Sequence, residues 1–241
     1  MSAPKLSVLA FGAHPDDIEL GCGGLLALCA ERGQPAGAID LTRGEGASRG
    51  SVAEREVEAA QAAGILGLTV RENLALPDLH LADTLAARRL VADLVRKYRV
   101  DLILAPAPAD RHPDHAAASA FVTHGAFLAR MARFATDHPP HAPAAVLYYL
   151  LHELTAPSFV VDISAVWERK RAAIAAYESQ FDRAMPEGYR FIGTRDYHAA
   201  SAARAGAWGA QIGTAQGEPY LLAATLRVDD PVALLVEGRP C

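Results

Sequence analysis

The chain has 241 residues, 51% apolar and 21% charged, with a formal net charge of -5. That length suits one sizeable core, so a single domain over residues 1–241 is the simplest expectation, and the composition is that of a globular protein rather than a disordered or fibrous one. Lys and Arg are scattered instead of clustered, which leaves no footprint for a nucleic-acid backbone or an anionic membrane, and charged residues interrupt every apolar run before the ~18–20 residues that cross a bilayer.

Met1–Lys5 leads straight into an apolar strand without a cleavage pattern, so no export signal is expected and a cytoplasmic home fits. The cysteines (Cys22, Cys29 and Cys241) are odd in number and lack CxxC spacing, which argues against a disulfide framework or a thiolate metal site.

In chain order, Leu6–Phe11 reads as a buried parallel strand, followed by a polar stretch, His14–Glu19, and a helix over Gly23–Arg32 that stops at Gly33. Ala36–Leu41 is the second strand. Ser51-Val52-Ala53-Glu54 has the capping-box pattern and opens an Ala-rich helix that closes near Gly64 or Gly67. An extended piece at Leu68–Leu76, a helix over Asp83–Tyr98, a strand at Asp101–Ala105 and a helix from Asp114 continue the alternation. The last third holds strands near Val146–Leu151 and Phe159–Asp162, a helix from Ser164 to about Tyr177, a loop at Asp182–Asp196 and a helix around Ala199–Ala210. Strands alternating with helices call for parallel pairing and helices on both faces, so the expected fold is α/β, three-layered and Rossmann-like with a mostly parallel sheet.

Two polar clusters follow two of these strands: Gly12-Ala13-His14-Pro15-Asp16-Asp17 and Asp110-Arg111-His112-Pro113-Asp114-His115. Loops at the carboxyl ends of neighbouring parallel strands meet at one crevice, so the clusters can share a site despite their separation in sequence. The proline after the first His of each cluster keeps that His out of the helical region. Imidazole and carboxylate are the donors of catalytic zinc sites with three protein ligands, and His14, Asp17 and His115 form such a set. Taken singly, either cluster is as well explained by chance spacing or an N-cap aspartate; the pairing carries the inference.

AHPDDIE at the first strand end together with RHPDH after a later one resembles the LmbE-like, or PIG-L, family of zinc deacetylases. LAFGAHPDDIELGCGG, DLTRGE, the helix with Arg55, NLALPD and AYESQF are similar to the bacillithiol-pathway branch, whose enzymes deacetylate N-acetylglucosaminyl-malate. The resemblance spans most of residues 6–215. It implies one Zn2+ per chain on His14, Asp17 and His115, with Asp16 as general base. It further implies His112 as oxyanion donor and Asp114 as the neighbour that orients His112 or favours its charged form. Arg55 and Asp78 are implied as substrate contacts, and Tyr197, with Tyr189 as its rival, as a tyrosine closing over the site from a loop at residues 182–198. The implied partner is an acetylated amino sugar, and the implied assembly a homo-oligomer, trimer or hexamer.

The chemistry of the residue types agrees with these roles. Zinc acidifies water and polarises a carbonyl, a carboxylate beside a ligand can take the proton of water, and an imidazole N–H can stabilise an oxyanion. The planar fork of Arg55 suits a carboxylate such as that of malate. Asp78, in Leu76-Pro77-Asp78, equally suits a plain turn, and Arg43 and Arg49 read as solvated loop residues. His124, His138, His141 and His152 lack ligand-like spacing and read as surface or core histidines.

Overall fold

Strand and helix alternate because apolar runs with strand character are punctuated by glycines and capping residues, and in the computed structural model these signals become a seven-stranded sheet ordered β3-β2-β1-β4-β5-β7-β6. The structure describes residues 3–153, 155–184 and 196–232. β1 (Val8–Gly12), β2 (Ala36–Thr42), β3 (Val70–Leu76), β4 (Leu102–Pro106) and β5 (Ala145–Tyr149) are parallel, and β7 (Gly217–Leu222) runs antiparallel between β5 and β6 (Phe159–Asp162). β1 is the middle one of the five parallel strands, with Val8 level with Ala36 on one side and Leu102 on the other.

Successive β1 side chains enter opposite cores. Val8 and Ala10 pack with α1 (Asp17–Glu31), α2 (Val52–Leu66) and α5 (Trp167–Ala175), whereas Leu9 and Phe11 pack with α3 (Leu85–Lys97) and α4 (Pro113–Ala129). This is the three-layer arrangement expected of a parallel sheet buried on both faces. A four-residue α6 (Glu178–Phe181) follows α5, and α7 (Tyr197–Ile212) lies against β6 and β7. Among the described residues no helix is long and apolar enough to cross a membrane.

The capping box at Ser51 is formed in full, with both reciprocal bonds to Glu54, and α2 ends on Gly67 at φ 74. Two features depart from the sequence reading. The first helix starts at Asp17 instead of Gly23, because the polar residues in its first turn face inward: Asp17 and Glu19 are buried. The strand β7 is an addition, since Glu218 and Pro219 interrupt its apolar pattern.

Glu218 has a long-range reason to be there. At Cys22 the backbone of α1 leaves helical geometry (φ -139, ψ 15), which frees N–H groups beyond the kink. The Glu218 carboxylate accepts from Gly24 N and Leu25 N, both at 2.8 Å, and from Tyr220 Oη at 2.7 Å, while Lys170 Nζ donates to it at 2.6 Å. A Cβ at position 24 would stand 2.8 Å from that carboxylate, so glycine permits the approach. Glu218 thus acts as an internal cap, contributed by a distant strand, for the second half of the helix whose first residue is Asp17. Removing one partner of a buried ion pair strands the other: Glu218→Ala is expected to lower unfolding stability by roughly 3–5 kcal/mol. The check is a lower urea midpoint at unchanged slope, and a shift equivalent to less than about 1 kcal/mol would contradict the assigned role.

Candidate active site

Four parallel strands deliver polar side chains to the carboxyl edge of the sheet. The loop after β1 brings His14, Asp16 and Asp17; that after β4 brings Asp110, His112, Asp114 and His115. Asp78 comes from the loop after β3 and His152 from the loop after β5. β1 and β4 are hydrogen-bonded neighbours, which closes the sequence gap between the two clusters.

The first cluster turns on one strained residue. Asp16 has φ 116 and ψ -27, a region L-residues with side chains rarely occupy and one that costs on the order of 1–3 kcal/mol. It occupies the N-cap position of α1 without making a capping bond, so the N-cap explanation fails for it. The consequence is that two adjacent aspartates diverge. Asp17 Oδ2 accepts from His14 N at 2.9 Å and lies 3.4 Å from His14 Nδ1, and its Oδ1 lies 3.2 Å from His115 Nε2. Asp16 instead meets Arg55, whose Nη2 donates to Asp16 Oδ2 at 3.0 Å and also to Pro15 O. Burial pushes the Asp16 carboxyl up to about 7, with the Arg55 charge opposing and the Asp17 charge adding.

The histidines form a tight group. Ring centroids lie 4.7 Å apart for His14–His112, 4.9 Å for His112–His115 and 5.4 Å for His14–His115. Carboxylates surround them: His14 Nε2 is 3.0 Å from Asp78 Oδ1 and 3.5 Å from Asp114 Oδ2, and His115 Nδ1 is 3.0 Å from Asp110 Oδ1. Burial alone would lower both imidazoles, but these carboxylates win. His14 is held well above its ordinary value by Asp114, Asp17 and Asp78, and His115 is raised to about 9 by Asp17 and Asp110. Asp78 responds in kind; its burial is outweighed by hydrogen bonds from His14 and Gly46, which bring it down to about 2. The cluster is thus built to hold positive charge. Among the described residues, candidate ligand atoms lie within 4.8 Å of one another in three sets, none of which includes Asp17: His14, His112 and His115; Asp110, His115 and His152; His14, Asp78 and Asp114. Buried imidazoles backed by carboxylates are the donor chemistry of a divalent cation site, and the residues fit such an ion.

Several expected residues stand in places the sequence did not disclose. His112 has extended backbone (φ -86, ψ 121) before Pro113, as the proline requires, and caps α4: its Nδ1 accepts from Asp114 N at 3.3 Å. That bond occupies Nδ1, and burial with the charges of His14 and His115 lowers the affinity of the ring for a proton. The Asp114 carboxylate turns away from the His112 ring to accept from Leu79 N at 2.8 Å and Leu81 N at 3.2 Å. Arg55 is 3% exposed; its Nη atoms meet Pro15, Asp16 and Gly44, so it backs Asp16, while its buried Nε has no partner among the described residues. Asp78 is likewise committed to His14, Gly46 N and Leu79 N. Tyr197 begins α7 with its ring against Phe181, at 4.9 Å; Tyr189 lies outside the described residues.

Two site residues escaped the sequence reading. Asp110 accepts from His112 N at 2.8 Å, touches His115 and also meets His152, whose Nδ1 is 3.0 Å from Oδ1 and whose N donates to Oδ2 at 3.2 Å. The His152 ring stacks on His115 at 5.4 Å and an angle of 10°. Asp110 could have been found from its position in DRHPDH, whereas His152 carries no local signal. Two cavities border the cluster. One, of about 550 Å³, is lined by Pro15, Arg43, Arg55 and Arg71; the other, of about 210 Å³, by Arg111, His152, Tyr197 and Arg204.

Comparison with known proteins places this geometry. Residues 9–126 match the PIG-L family, described as GlcNAc-PI de-N-acetylase. The chain is 31% identical over 189 residues to the diacetylchitobiose deacetylase of Thermococcus kodakarensis, covering 72% of this chain and 70% of that one. Its fold is similar to the crystal structure of the conserved protein TT1542 from Thermus thermophilus, with 39% identity, a TM-score of 0.83 and coverage of 93% and 98% of the two chains. At 21% identity and a TM-score of 0.77 it also shares its fold with GalB, the 4-carboxy-2-hydroxymuconate hydratase of Pseudomonas putida, over 95% of this chain and 99% of that one. A fold common to a hydratase and deacetylases does not decide the reaction, which has to be argued from the site. By its sequence match to a deacetylase over most of both chains, and by the two His/Asp clusters at its sheet edge, the chain belongs to the PIG-L, or LmbE-like, deacetylase family.

Proposed function

We propose that the protein is a zinc-dependent hydrolase that removes the acetyl group from an N-acetylglucosamine conjugate, with N-acetylglucosaminyl-malate of the bacillithiol pathway as the foremost substrate. The observation that carries the reading is the division of labour at Asp16 and Asp17. Asp17 is the carboxylate that reaches both His14 and His115, and Asp16, facing Arg55, has its carboxyl pushed up to about 7. His14, Asp17 and His115 would hold one Zn2+ per chain, leaving a position open for chemistry. When bound, the ion supplies Lewis acidity, acidifying water and polarising the amide carbonyl.

The chain's own residues account for the proton and charge movements. Asp16 takes the proton of the attacking water and returns it to the departing amine, a role suited to a carboxyl that titrates near neutrality. Neutral His112, with Nδ1 occupied by the Asp114 backbone N–H, keeps Nε2–H for the oxyanion, and one such donor is commonly worth roughly 100- to 1000-fold in rate. Asp78 and Asp110 orient the rings of His14 and His115, as carboxylates behind metal-binding histidines do. Tyr197 stands at the cavity edge as an assisting donor. A cytoplasmic homo-oligomer completes the reading by family resemblance.

A second substrate class, small chitooligosaccharides, is favoured by the similarity to the diacetylchitobiose deacetylase. A panel of N-acetylglucosamine conjugates, with and without a malate carboxylate, assayed for free amine with zinc present, separates the two. Preference for the malate conjugate is the expected outcome, and acetate release confined to chitooligosaccharides would overturn it.

Asp16→Asn is expected to retain one zinc per chain and lose roughly 100- to 10,000-fold in kcat. His115→Ala is expected to lose the metal itself, measured by elemental analysis after dialysis. Wild-type turnover in the Asp16 variant, or full metal content in the His115 variant, would contradict the roles. The pH profile tests Arg55. The base works ionised, so kcat/KM falls as pH drops through the Asp16 pKa, at or below about 7 because a bound cation draws it down. Arg55 opposes protonation of Asp16, so Arg55→Gln moves this acid limb to higher pH; a limb that stays in place would refute the backing role.

A further inference from the structure

The cavity of about 210 Å³ beside His152 holds two arginines that nothing in the mechanism uses. Arg111 sits between Asp110 and His112 in the loop after β4, and Arg204 lies on α7; both line the cavity together with Tyr197 and the Lys170–Glu218 pair. Lys170 and Glu218 satisfy each other at 2.6 Å, so they contribute no net charge. Among the described residues neither Arg111 nor Arg204 has an ion-pair or hydrogen-bond partner. The nearest carboxylate influence, Asp110, is already shared between His115 and His152. Arg204 is half-buried, and its burial lowers its affinity for a proton, with Asp110 opposing and Arg111 adding to the effect. Arg111 is exposed and Arg204 half-buried; like charges that line one cavity repel, and an anion bound between them relieves that repulsion. Guanidinium forks match carboxylates and phosphates in bidentate geometry.

The position suits a substrate that reaches past the reacting amide. His152 lines the cavity and stacks on His115, which itself lies 5.4 Å from His14, so the cavity is one imidazole away from the cluster. Arg55, by contrast, is committed to Asp16. We propose that Arg111 and Arg204 form a subsite for an acid group, carboxylate or phosphate, carried on the aglycone of the amino-sugar substrate. This rests on the deacetylase reading and moves recognition of the acid from Arg55 to the opposite side of the cluster.

Two measurements on the zinc-loaded protein test it. In the first, L-malate and inorganic phosphate are each titrated calorimetrically into wild type, Arg204→Gln and Arg204→Lys. Wild type binds, the Gln variant weakens binding roughly 10- to 100-fold, as loss of a charge-assisted contact implies, and the Lys variant retains part of it. Tighter binding of phosphate than of malate identifies a phosphorylated aglycone, and the reverse a carboxylated one. In the second, acetate release is compared for N-acetylglucosaminyl-malate and for the neutral methyl glycoside of N-acetylglucosamine. The ratio of the two kcat/KM values is expected to fall about tenfold or more in Arg204→Gln. Equal anion binding in wild type and Arg204→Gln, or a ratio that does not move, overturns the subsite. Anion binding that depends on Arg204 with no acetate released from either sugar supports the subsite and sinks the deacetylase reading, so the two failures are distinguishable.

Discussion

The site depends on the left-handed turn at Asp16. With φ 116 at Asp16, Asp17 faces His14 and His115 while Asp16 faces Arg55. One short turn thus yields two carboxyls with opposite properties, Asp17 held well below its ordinary value by His115 and His14 and Asp16 raised by burial. Strain of this kind persists only where the surroundings over-determine it. Here they include the Arg55 bond to Pro15 and the Glu218 cap that seats the kinked α1 behind Asp17.

Around that turn the protein concentrates charge in a way a purely structural network would not need. Asp17, Asp78, Asp110 and Asp114 lie against two histidines, and the field they create favours a cation at the position where the imidazole nitrogens meet. The same carboxylates fix the loops: Asp114 ties Leu79 and Leu81, Asp78 ties Gly46, and Asp110 ties His112 and His152. Asp114 and Asp78 thus tie neighbouring loops to one another, while Asp110 braces its own loop and the one after β5. Removal of one aspartate acts on charge and on geometry together.

How much of this the sequence disclosed depended on whether a signal was local. The five parallel strands were legible because apolar runs and Gly or Ser punctuation are short-range, and the capping box at Ser51 announced α2 outright. The two His/Asp clusters were legible because their residue types and proline spacing sit within a few positions of each other. Glu218 and His152 act only through partners far along the chain, so β7 and the rear of the site were out of reach. Arg55 and Asp114 show a subtler limit. Their neighbourhood was anticipated, but the atom each one meets depends on backbone direction, which residue identity does not encode. The N-cap bond of His112 belongs to the same class, since it depends on how the ring turns toward its own helix.

The assignment of Asp17 as ligand and Asp16 as free base is tested most directly by crystals of the zinc-loaded enzyme, measured at wavelengths on either side of the zinc absorption edge. The expected result is one anomalous peak per chain, within about 2.0–2.2 Å of His14, Asp17 and His115, with the Asp16 carboxylate outside bonding distance. A peak bonded to Asp16, or one seated on Asp110 and His152 instead of Asp17, would contradict it.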